Sequence, residues 1–417
     1  MTVAPPPPRT PIPGVSPVPA APDPAALIEE ARQRARKRRR TGTALVVLLV
    51  LLGGAIFLGA TGRLGETSGD SAGARPLTGA PEPGLIAYAT GRGELFVVSA
   101  NGSERRKLTT CRTEEPRASC VIAQFAWSPD GRSLAFVSGT PHMSRPSEMS
   151  LRVIGVDGTD ERLLASCAAR APGRPDPADC GWGYRALVSW SPDSSRVAFS
   201  RGLGIAVATL ATGAIRSITR CPGQCADGAP AWSPTGQRIA FVRNDAIFTV
   251  RPDGSRLTRL ATGLASSLAW SPGGASFVFD SPAGISTIND DGTGEKSLVL
   301  WRSFGAGPGL PSWSPDGRRI AYFQTPGKPG KFRSEVWVMN ADGTGRTRLY
   351  EGVCCVGTWA RPVWSPSGRE IAFADTSYDG ELAGGTFSVR VADRHLQRLA
   401  PAEAAPDLVA WQPVPGP

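Results

Sequence analysis

Short apolar stretches separated by turn residues recur along most of the chain, and one pattern among them repeats. An apolar stretch ends at Trp-Ser-Pro, a turn of the Pro-Asp-Gly type follows, and a second apolar stretch leaves the turn. The six copies begin at Trp127, Trp190, Trp232, Trp270, Trp313 and Trp364, and successive copies start 38 to 63 residues apart. Periods of about 40 to 50 residues with four strand-like stretches in each indicate the blades of a β-propeller.

The copy WSPDGRRIAY at Trp313 shows how one repeat predicts four strands. An apolar strand ends at Trp313, the turn reverses the chain, and a second strand runs from Arg319 to Phe323. A third strand from Glu335 to Met339 is closed by turn residues 340–343, and a fourth runs from Arg346 to Tyr350. Two such hairpins form one four-stranded blade.

A seventh blade is divided between the two ends of the repeat region. The stretches Leu85 to Thr90, Glu94 to Ser99 and Arg105 to Thr109 match second, third and fourth strands without a first strand. The stretch Leu408 to Pro413, which reads LVAWQP, matches the missing first strand. Pairing it with Leu85 to Thr90 would close the ring and remove both open sheet edges. The predicted fold is therefore all-β, a seven-bladed β-propeller over residues 84–413 with terminal-strand closure.

The Trp-Ser-Pro-Asp-Gly turn and the later Asp-Gly turn of each repeat resemble the blades of TolB-like propellers, a family similar to WD-repeat proteins. The resemblance extends from about Leu85 to Pro413 and implies the propeller fold. It leaves the function open, because propellers include binding modules, enzymes and scaffolds. The recurrence of Trp and Asp in every blade favours packing between blades and turn formation over a role as ligands.

An uncharged apolar stretch, TALVVLLVLLGGAIFLGATG, precedes the repeats at residues 43–62. A helix of about twenty such residues spans a bilayer. Seven Lys and Arg residues lie between Arg32 and Arg40, directly before it, and this bias places the N-terminus inside. We therefore expect a single-pass protein of the bacterial cytoplasmic membrane, with a Pro-rich, basic cytoplasmic tail (1–42), a linker (63–83) and the propeller outside. A cleaved signal peptide and a twin-arginine signal at Arg38 to Arg40 are alternatives.

The charge distribution bears on possible partners. The formal net charge is +10, and the tail up to Gly42 holds eight basic and three acidic residues. This dense basic run adjoins the apolar stretch and is not interleaved with aromatic residues, as a nucleic-acid-binding face would be. We expect the membrane to be contacted through residues 43–62 and expect no nucleic-acid partner.

All eight cysteines follow the apolar stretch, in the compartment where disulfides persist. They fall in loops that lead from the fourth strand of one blade to the first strand of the next. The predicted disulfides are Cys111–Cys120, Cys167–Cys180, Cys221–Cys225 and the vicinal pair Cys354–Cys355. A zinc site at Cys221 and Cys225 is the competing hypothesis, but no His is near in sequence. Residues 289–292 slightly resemble a calcium loop and are interpreted as a turn. We predict no metal or other cofactor.

Two faces of the ring should differ. Loops from fourth to first strands and from second to third strands emerge on one face, here called the loop face, whereas the hairpin turns within each blade emerge on the other, the turn face. The loop face collects the cysteine loops and the longer connections Gly139 to Glu148, Gln324 to Ser334 and Asp375 to Thr386. It also carries aromatic residues suited to recognition, which are our candidate ligand-binding residues: Trp182, Tyr184, Trp301, Phe304, Tyr350 and Trp359.

No catalytic set is evident in the sequence. The two histidines, His142 and His395, belong to different blades, and no Gly-x-Ser-x-Gly motif occurs. We therefore expect a membrane-anchored, extracytoplasmic binding module for a protein or envelope component, and no enzyme. The main alternative is a propeller enzyme, hydrolase or lyase, that acts on a glycan through carboxylates in the central channel. An envelope sensor that signals through the cytoplasmic tail is a further alternative.

Overall fold

The computed structural model describes residues 84–414 except for 112–119, 140–148, 168–187, 223–224, 262–266, 301–307, 326–333, 354–360, 376–383 and 401–405. The predicted tail, transmembrane helix and linker (1–42, 43–62 and 63–83) lie outside these ranges. Within them, no helix has the length and apolar character needed to cross a membrane.

The described residues form 28 strands. The first half comprises β1 (Leu85–Thr90), β2 (Glu94–Ser99), β3 (Arg105–Thr110), β4 (Val121–Trp127), β5 (Ser133–Gly139), β6 (Met149–Gly155), β7 (Arg162–Cys167), β8 (Val188–Trp190), β9 (Arg196–Arg201), β10 (Gly204–Thr209), β11 (Ile215–Ser217), β12 (Asp227–Trp232), β13 (Ile239–Arg243) and β14 (Ala246–Val250). The second half comprises β15 (Thr258–Ala261), β16 (Ser267–Trp270), β17 (Ser276–Ser281), β18 (Gly284–Asn289), β19 (Lys296–Leu300), β20 (Pro308–Trp313), β21 (Arg319–Gln324), β22 (Ser334–Asn340), β23 (Thr347–Val353), β24 (Val363–Trp364), β25 (Glu370–Asp375), β26 (Gly385–Arg390), β27 (Leu396–Ala400) and β28 (Pro406–Trp411).

These strands pair antiparallel in seven four-stranded sheets, which confirms the predicted seven-bladed propeller. Blade 1 is β28-β1-β2-β3, and blades 2 to 7 each take the next four strands in chain order. The first strands of neighbouring blades contact one another all the way round, so they surround a central channel. The fourth strand of blade 6 ends later than predicted, because Glu351 pairs with Glu335 and Val353 pairs with Ser334.

The ends of the propeller join in blade 1, as predicted. Strand β28 pairs with β1, with Ile86 opposite Trp411 and Tyr88 opposite Val409. The closing strand ends at Trp411, two residues earlier than predicted, since Pro413 has no N–H to donate. The N–H of Gln412 still donates to the carbonyl oxygen of Leu85 at 2.8 Å. Closure therefore satisfies sheet edges that would otherwise be open.

Each second strand contributes one aromatic ring to the core at the same position of the repeat. These rings are at most 3% exposed and belong to Tyr88, Phe136, Phe199, Phe241, Phe279, Tyr322 and Phe373. Full burial of such a side chain stabilises the fold by roughly 1.5–3 kcal/mol. The apolar core is consequently distributed around the ring as a series of clusters.

The repeated Trp side chains pack between blades, as predicted, and four of them also hydrogen-bond to the preceding blade. Each of these indole N–H groups donates to the residue that precedes the Trp of the blade before: Trp127 to Ala410 (3.1 Å), Trp190 to Ala126 (3.0 Å), Trp270 to Ala231 (3.0 Å) and Trp364 to Ser312 (3.2 Å). The accepting carbonyls belong to first strands, whose inner edge has no further strand to pair with. The indole N–H groups thus satisfy some of the backbone carbonyl groups along that edge.

Side chains of the outer strands link neighbouring blades at the periphery. Each donates to a carbonyl in the turn between the third and fourth strands of the next blade: Arg106 to Val156, Arg162 to Leu210 (3.1 Å), Arg216 to Asp253 (3.0 Å), Lys296 to Asp342 (3.1 Å) and Gln397 to Asn101 (2.7 Å). The bond from Gln397 joins blade 7 to blade 1. Four basic residues of the outer strands therefore have a structural role in joining neighbouring blades.

The repeated polar residues of the turn face stabilise the hairpin turns through hydrogen bonds. The Ser128 hydroxyl donates to Asp130 Oδ1 at 2.5 Å and accepts the N–H of Ser133 at 2.9 Å. In the later turn of blade 5, Asp291 Oδ1 accepts the N–H of Thr293 at 2.8 Å and its hydroxyl at 2.6 Å. The segment 289–292 is therefore a turn, as interpreted from the sequence. These hydrogen bonds lower the pKa of the Asp291 carboxyl, because they favour its charged form.

Candidate functional site

The predicted aromatic residues of the loop face fall mostly outside the described part of the chain. This holds for Trp182, Tyr184, Trp301, Phe304 and Trp359. Tyr350 is described and lies in β23, where it is partly buried. Its ring centroid is 5.1 Å from that of Phe373, within the apolar cluster between blades 6 and 7. The structure therefore uses the Tyr350 ring for packing between blades.

Two of the predicted disulfides are present on the loop face. Cys111 is bonded to Cys120, and Cys221 to Cys225, each with a Cα–Cα distance of 5.7 Å. Each bond lies in the connection from a fourth strand to the next first strand, as predicted. The other two predicted bonds involve residues 180, 354 and 355, which lie outside the described residues.

A buried ion pair stabilises the second of these connections. Asp227 begins β12 and lies opposite Arg243, the last residue of β13. The Arg243 guanidinium donates from Nε to Asp227 Oδ1 at 2.5 Å and from Nη2 to Oδ2 at 2.7 Å. The Thr219 hydroxyl donates to the same Oδ2 at 2.5 Å. Hydrogen bonding to Asp227 raises the pKa of Arg243, although burial opposes this shift.

The ion pair and the disulfide act on the same short loop. Arg243 Nη2 also reaches the carbonyl oxygen of Arg220, at 3.4 Å. That carbonyl precedes Cys221, which is 1% exposed. The N–H of Cys221 in turn donates to the carbonyl oxygen of Leu203 at 3.1 Å. These contacts tie the described ends of the connection between blades 3 and 4 to neighbouring strands at the rim of the loop face.

A second carboxylate, Asp280, links the first strands of two blades. It lies near the end of β17 and is 5% exposed. Its Oδ1 accepts the N–H of Ser267 in blade 5 at 2.6 Å, and its Oδ2 accepts the N–H of Leu310 in blade 6 at 2.7 Å. Leu310 has a φ of 54°, in the left-handed region that a branched side chain rarely adopts. The carboxylate therefore helps to hold a strained backbone at the channel edge.

Arg361 lies across the mouth of the channel. It precedes β24 in blade 7, yet its Nη1 donates to the carbonyl oxygen of Leu268 in blade 5 at 3.3 Å. The side chain therefore passes the first strand of blade 6. Burial lowers the pKa of Arg361, and the negative charge of Asp280 opposes this effect. Because an arginine stays charged in proteins, this side chain places a positive charge at the mouth.

These four charged residues, Asp227, Arg243, Asp280 and Arg361, were not singled out from the sequence. One signal for Asp280 was available. When the copies of the repeat are aligned on Trp, its position holds an uncharged residue in every other blade: Ala89, Val137, Ser200, Val242, Phe323 and Ala374. A charge at such a position marks a blade that departs from the repeat. The pairing of Asp227 with Arg243 had no comparable signal, because it depends on strand register.

The described residues contain no group of three His, Cys, Asp or Glu side chains arranged to hold a metal ion. His395 lies exposed in a turn of blade 7, where its N–H donates to Asp393 Oδ1 at 3.0 Å. The chemistry that the described loop face offers is thus that of guanidinium groups, carboxylates and disulfides.

Neither a protein-family model nor a curated protein matches the sequence. Solved structures do match. A structure described as oligogalacturonate lyase in complex with manganese is 14% identical and covers 76% of this chain and 84% of its own, with a TM-score of 0.51. A structure from a study of two prolyl endopeptidases is 16% identical and covers 80% of this chain and 49% of its own, with a TM-score of 0.54.

These likenesses show the propeller fold alone. TolB from Acinetobacter baumannii is 18% identical and covers 79% of this chain and 82% of its own, but its TM-score of 0.46 is too low to add to the argument. The seven-bladed propeller predicted from the repeats is supported by the first two structures. The resemblance to the TolB-like family still rests on the repeated turn residues.

Proposed function

We propose that this protein is a membrane-anchored, extracytoplasmic binding module that engages a protein or another envelope component through its loop face. The proposal rests on the difference between the turn face and the loop face. On the turn face, the repeated side chains are used within their own hairpins, as Ser128, Asp130 and Asp291 illustrate. On the loop face, two connections are held by disulfides and a guanidinium spans the channel mouth.

This arrangement suits recognition for physical reasons. Binding loops on a rigid scaffold lose little conformational freedom when a partner binds, and disulfides reduce that loss further. Arginine is enriched among residues that dominate binding energy. Arg361 is held at the mouth by Leu268 and by the charge of Asp280, so its donors are positioned before a partner arrives.

The location is part of the proposal. The apolar stretch at 43–62 and the basic residues before it support an anchor with the propeller outside. The disulfides Cys111–Cys120 and Cys221–Cys225 suit a compartment in which such bonds persist. The N-terminal stretch and the disulfides lie in different parts of the chain, so they support this location independently.

We favour binding over catalysis on a glycan. A carboxylate that transfers a proton must be accessible to the substrate, whereas Asp227 and Asp280 are at most 5% exposed. Both oxygens of Asp227 accept hydrogen bonds from Arg243 or Thr219, and both oxygens of Asp280 accept backbone N–H groups. These carboxylates hold the loop face together.

The test is co-purification of the full-length chain from solubilised membranes. We compare the wild type with Arg361→Gln, with the triple variant Trp182→Ala, Trp301→Ala, Trp359→Ala, and with Arg318→Gln as a control. Arg318 is an exposed arginine on the turn face. A stable partner should be retained by Arg318→Gln and lost or reduced in the other two. Equal capture by all variants would contradict the proposal, and turnover of a glycan by the wild type would favour the enzyme.

A further inference from the structure

Asn101 and Gly102 lie at the tip of the turn between β2 and β3, on the turn face of blade 1. They form the only Asn-Gly dipeptide in the chain, and Asn101 is exposed. The corresponding turns of four other blades place an acid before the glycine, at Asp157, Asp253, Asp291 and Asp342. Blade 1 therefore carries an amide where these blades carry a carboxylate.

Three donors converge on the side-chain oxygen of Asn101. Its Oδ1 accepts the Ser99 hydroxyl at 2.5 Å, the Ser103 hydroxyl at 2.6 Å and the Ser103 N–H at 3.0 Å. The last of these bonds closes an Asx turn, which folds the side chain back over the peptide bond to Gly102. Donors aimed at a carbonyl oxygen stabilise the negative charge that develops there when its carbon is attacked. The turn therefore activates the Asn101 amide.

The Gly102 nitrogen is the nucleophile within reach of that amide. Its N–H donates to the carbonyl oxygen of Ser99 at 2.8 Å. Gly102 has a φ of 73°, which glycine adopts without strain, and it has no side chain to shield the nitrogen. Because the amide carbon and the nitrogen belong to adjacent residues, their reaction is unimolecular and closes a five-membered ring.

Two other asparagines provide a comparison within the same chain. Asn289 and Asn340 are also exposed and lie at the start of the equivalent turns of blades 5 and 6. Their amides donate from Nδ2 to the hydroxyls of Thr293 and Thr344, at 3.1 and 3.0 Å. A residue with a side chain follows each of them. Asn101 thus differs in both its hydrogen bonds and its neighbour.

We propose that Asn101 is a site of spontaneous deamidation. The Gly102 nitrogen forms a bond to Asn101 Cγ, the Cγ–Nδ2 bond breaks, and Nδ2 leaves as ammonia with the proton from Gly102. Water then opens the cyclic imide at one of its two carbonyl carbons. Opening at Cγ gives aspartate, and opening at the main-chain carbon gives isoaspartate, in which the main chain runs through the side chain. This modification does not depend on the proposed binding at the loop face.

The two products differ in their effect on the contact between blades 1 and 7. Aspartate leaves the main chain unchanged, and its carboxylate accepts turn donors as Asp291 does. In isoaspartate the main chain gains one carbon, and the carbonyl that accepts Gln397 Nε2 at 2.7 Å becomes a free carboxylate. Space is short at this point, because a Cβ atom on Gly102 would lie 3.3 Å from the carbonyl oxygen of Arg398. Isoaspartate should therefore displace the turn from blade 7.

The test follows the purified full-length chain during incubation at neutral and mildly alkaline pH. Peptide mapping with mass spectrometry measures amide loss at each asparagine, and electron-transfer fragmentation separates isoaspartate from aspartate. We expect Asn101 to lose its amide about tenfold faster than Asn289 or Asn340, because three donors stabilise its oxygen. The rate should rise with pH, since the Gly102 nitrogen must lose its proton.

Variants examine the donors. Ser103→Ala removes one hydroxyl from Oδ1 and should slow amide loss at Asn101 about threefold to tenfold, less than in a buried site because water replaces the hydroxyl. Ser99→Ala removes the other hydroxyl and should act in the same direction. Thr344→Ala, the matched change in blade 6, should leave the rate at Asn101 unchanged.

Melting curves examine the products. Asn101→Asp should melt like the fresh wild type, whereas aged wild type rich in isoaspartate should melt at a lower temperature. Treatment of the aged chain with a protein isoaspartyl methyltransferase should restore the original curve.

Three results would overturn the proposed site: an intact amide at Asn101, equal rates at Asn101, Asn289 and Asn340, or Ser103→Ala and Ser99→Ala reacting as fast as the wild type. An aged chain that contains isoaspartate and still melts like Asn101→Asp would refute the displacement from blade 7.

Discussion

Removal of one member of the Asp227–Arg243 pair should destabilise the propeller strongly. The side chains are 0% and 11% exposed, so water screens their interaction little. In Arg243→Met the aliphatic part of the side chain is retained, whereas the Asp227 carboxylate stays buried with the Thr219 hydroxyl as its remaining side-chain donor. Breaking a buried pair in this way costs about 3–5 kcal/mol. Loss of the guanidinium near the ring of Phe248, 5.2 Å away, adds to the cost.

The assay is urea denaturation of the full-length chain followed by Trp fluorescence, which yields the change in free energy of unfolding. The double variant Asp227→Leu, Arg243→Met removes both charges and should cost much less than the single variant, since no unpaired charge remains. Arg390→Gln is the matched control. Arg390 pairs with Asp393 at the surface, where both side chains are about half exposed, and its loss should cost about 0–1 kcal/mol.

A cost below about 1 kcal/mol for Arg243→Met would refute the reasoning, because it would mean that Asp227 is readily hydrated or neutralised. A double variant as unstable as the single would also refute it. In that case the loss would arise from packing and not from the unpaired carboxylate.

Four further predictions concern other parts of the molecule. Burial raises the pKa of Tyr88 and Tyr322 to about 12. The unfolded chain loses these two protons near the ordinary tyrosine pKa of about 10, whereas the folded chain keeps them, so the free energy of unfolding should fall as pH rises from about 10 to about 12. The double variant Tyr88→Phe, Tyr322→Phe should show a smaller fall in melting temperature over that interval. On the acid side, hydrogen bonds from Thr159 and Thr344 lower the pKa of Asp157 and Asp342. The ionised carboxylates therefore stabilise the folded chain above a pH of about 4, and that stabilisation is lost as the pH falls below it. Thr159→Val with Thr344→Val should reduce that loss in melting curves recorded from pH 5 to pH 2, and an unchanged curve would contradict the assignment. Trp190→Phe should cost about 1 kcal/mol more than Trp313→Phe in urea denaturation, because the Trp190 indole donates to Ala126 whereas the buried Trp313 indole N–H has no partner among the described residues. Finally, the chain should resist extraction from membranes by alkaline carbonate, and its propeller should be digested by protease added outside spheroplasts; soluble or protected protein would contradict the predicted anchor.

The sequence by itself determined the fold. Each repeat carries its own turn chemistry, such as the Ser and Asp residues that hold the hairpin after Trp127, and hydrogen bonds of this kind form between residues two to five positions apart. A motif that repeats at blade length therefore predicts the blades one by one. The orphan stretches at the two ends predicted closure through β28, since an open ring would leave two unpaired sheet edges.

The tertiary structure alone decided which polar residues meet. Asp227 and Arg243 face each other through the register of β12 and β13, which shifts between Gly228 and Ala231. A shift of one residue turns every side chain to the opposite face of a sheet, and such a shift cannot be predicted from local composition.

Contacts between blades are even harder to predict from local composition. Arg361 reaches Leu268 because the ring brings blades 5 and 7 to one channel mouth, although the residues are 93 positions apart. Glu161 meets Thr109 because two blades pack side by side. The repeats predict that the blades form a ring, but the separation and tilt of neighbouring blades depend on how their side chains pack. The channel mouth is therefore a property of the assembled ring.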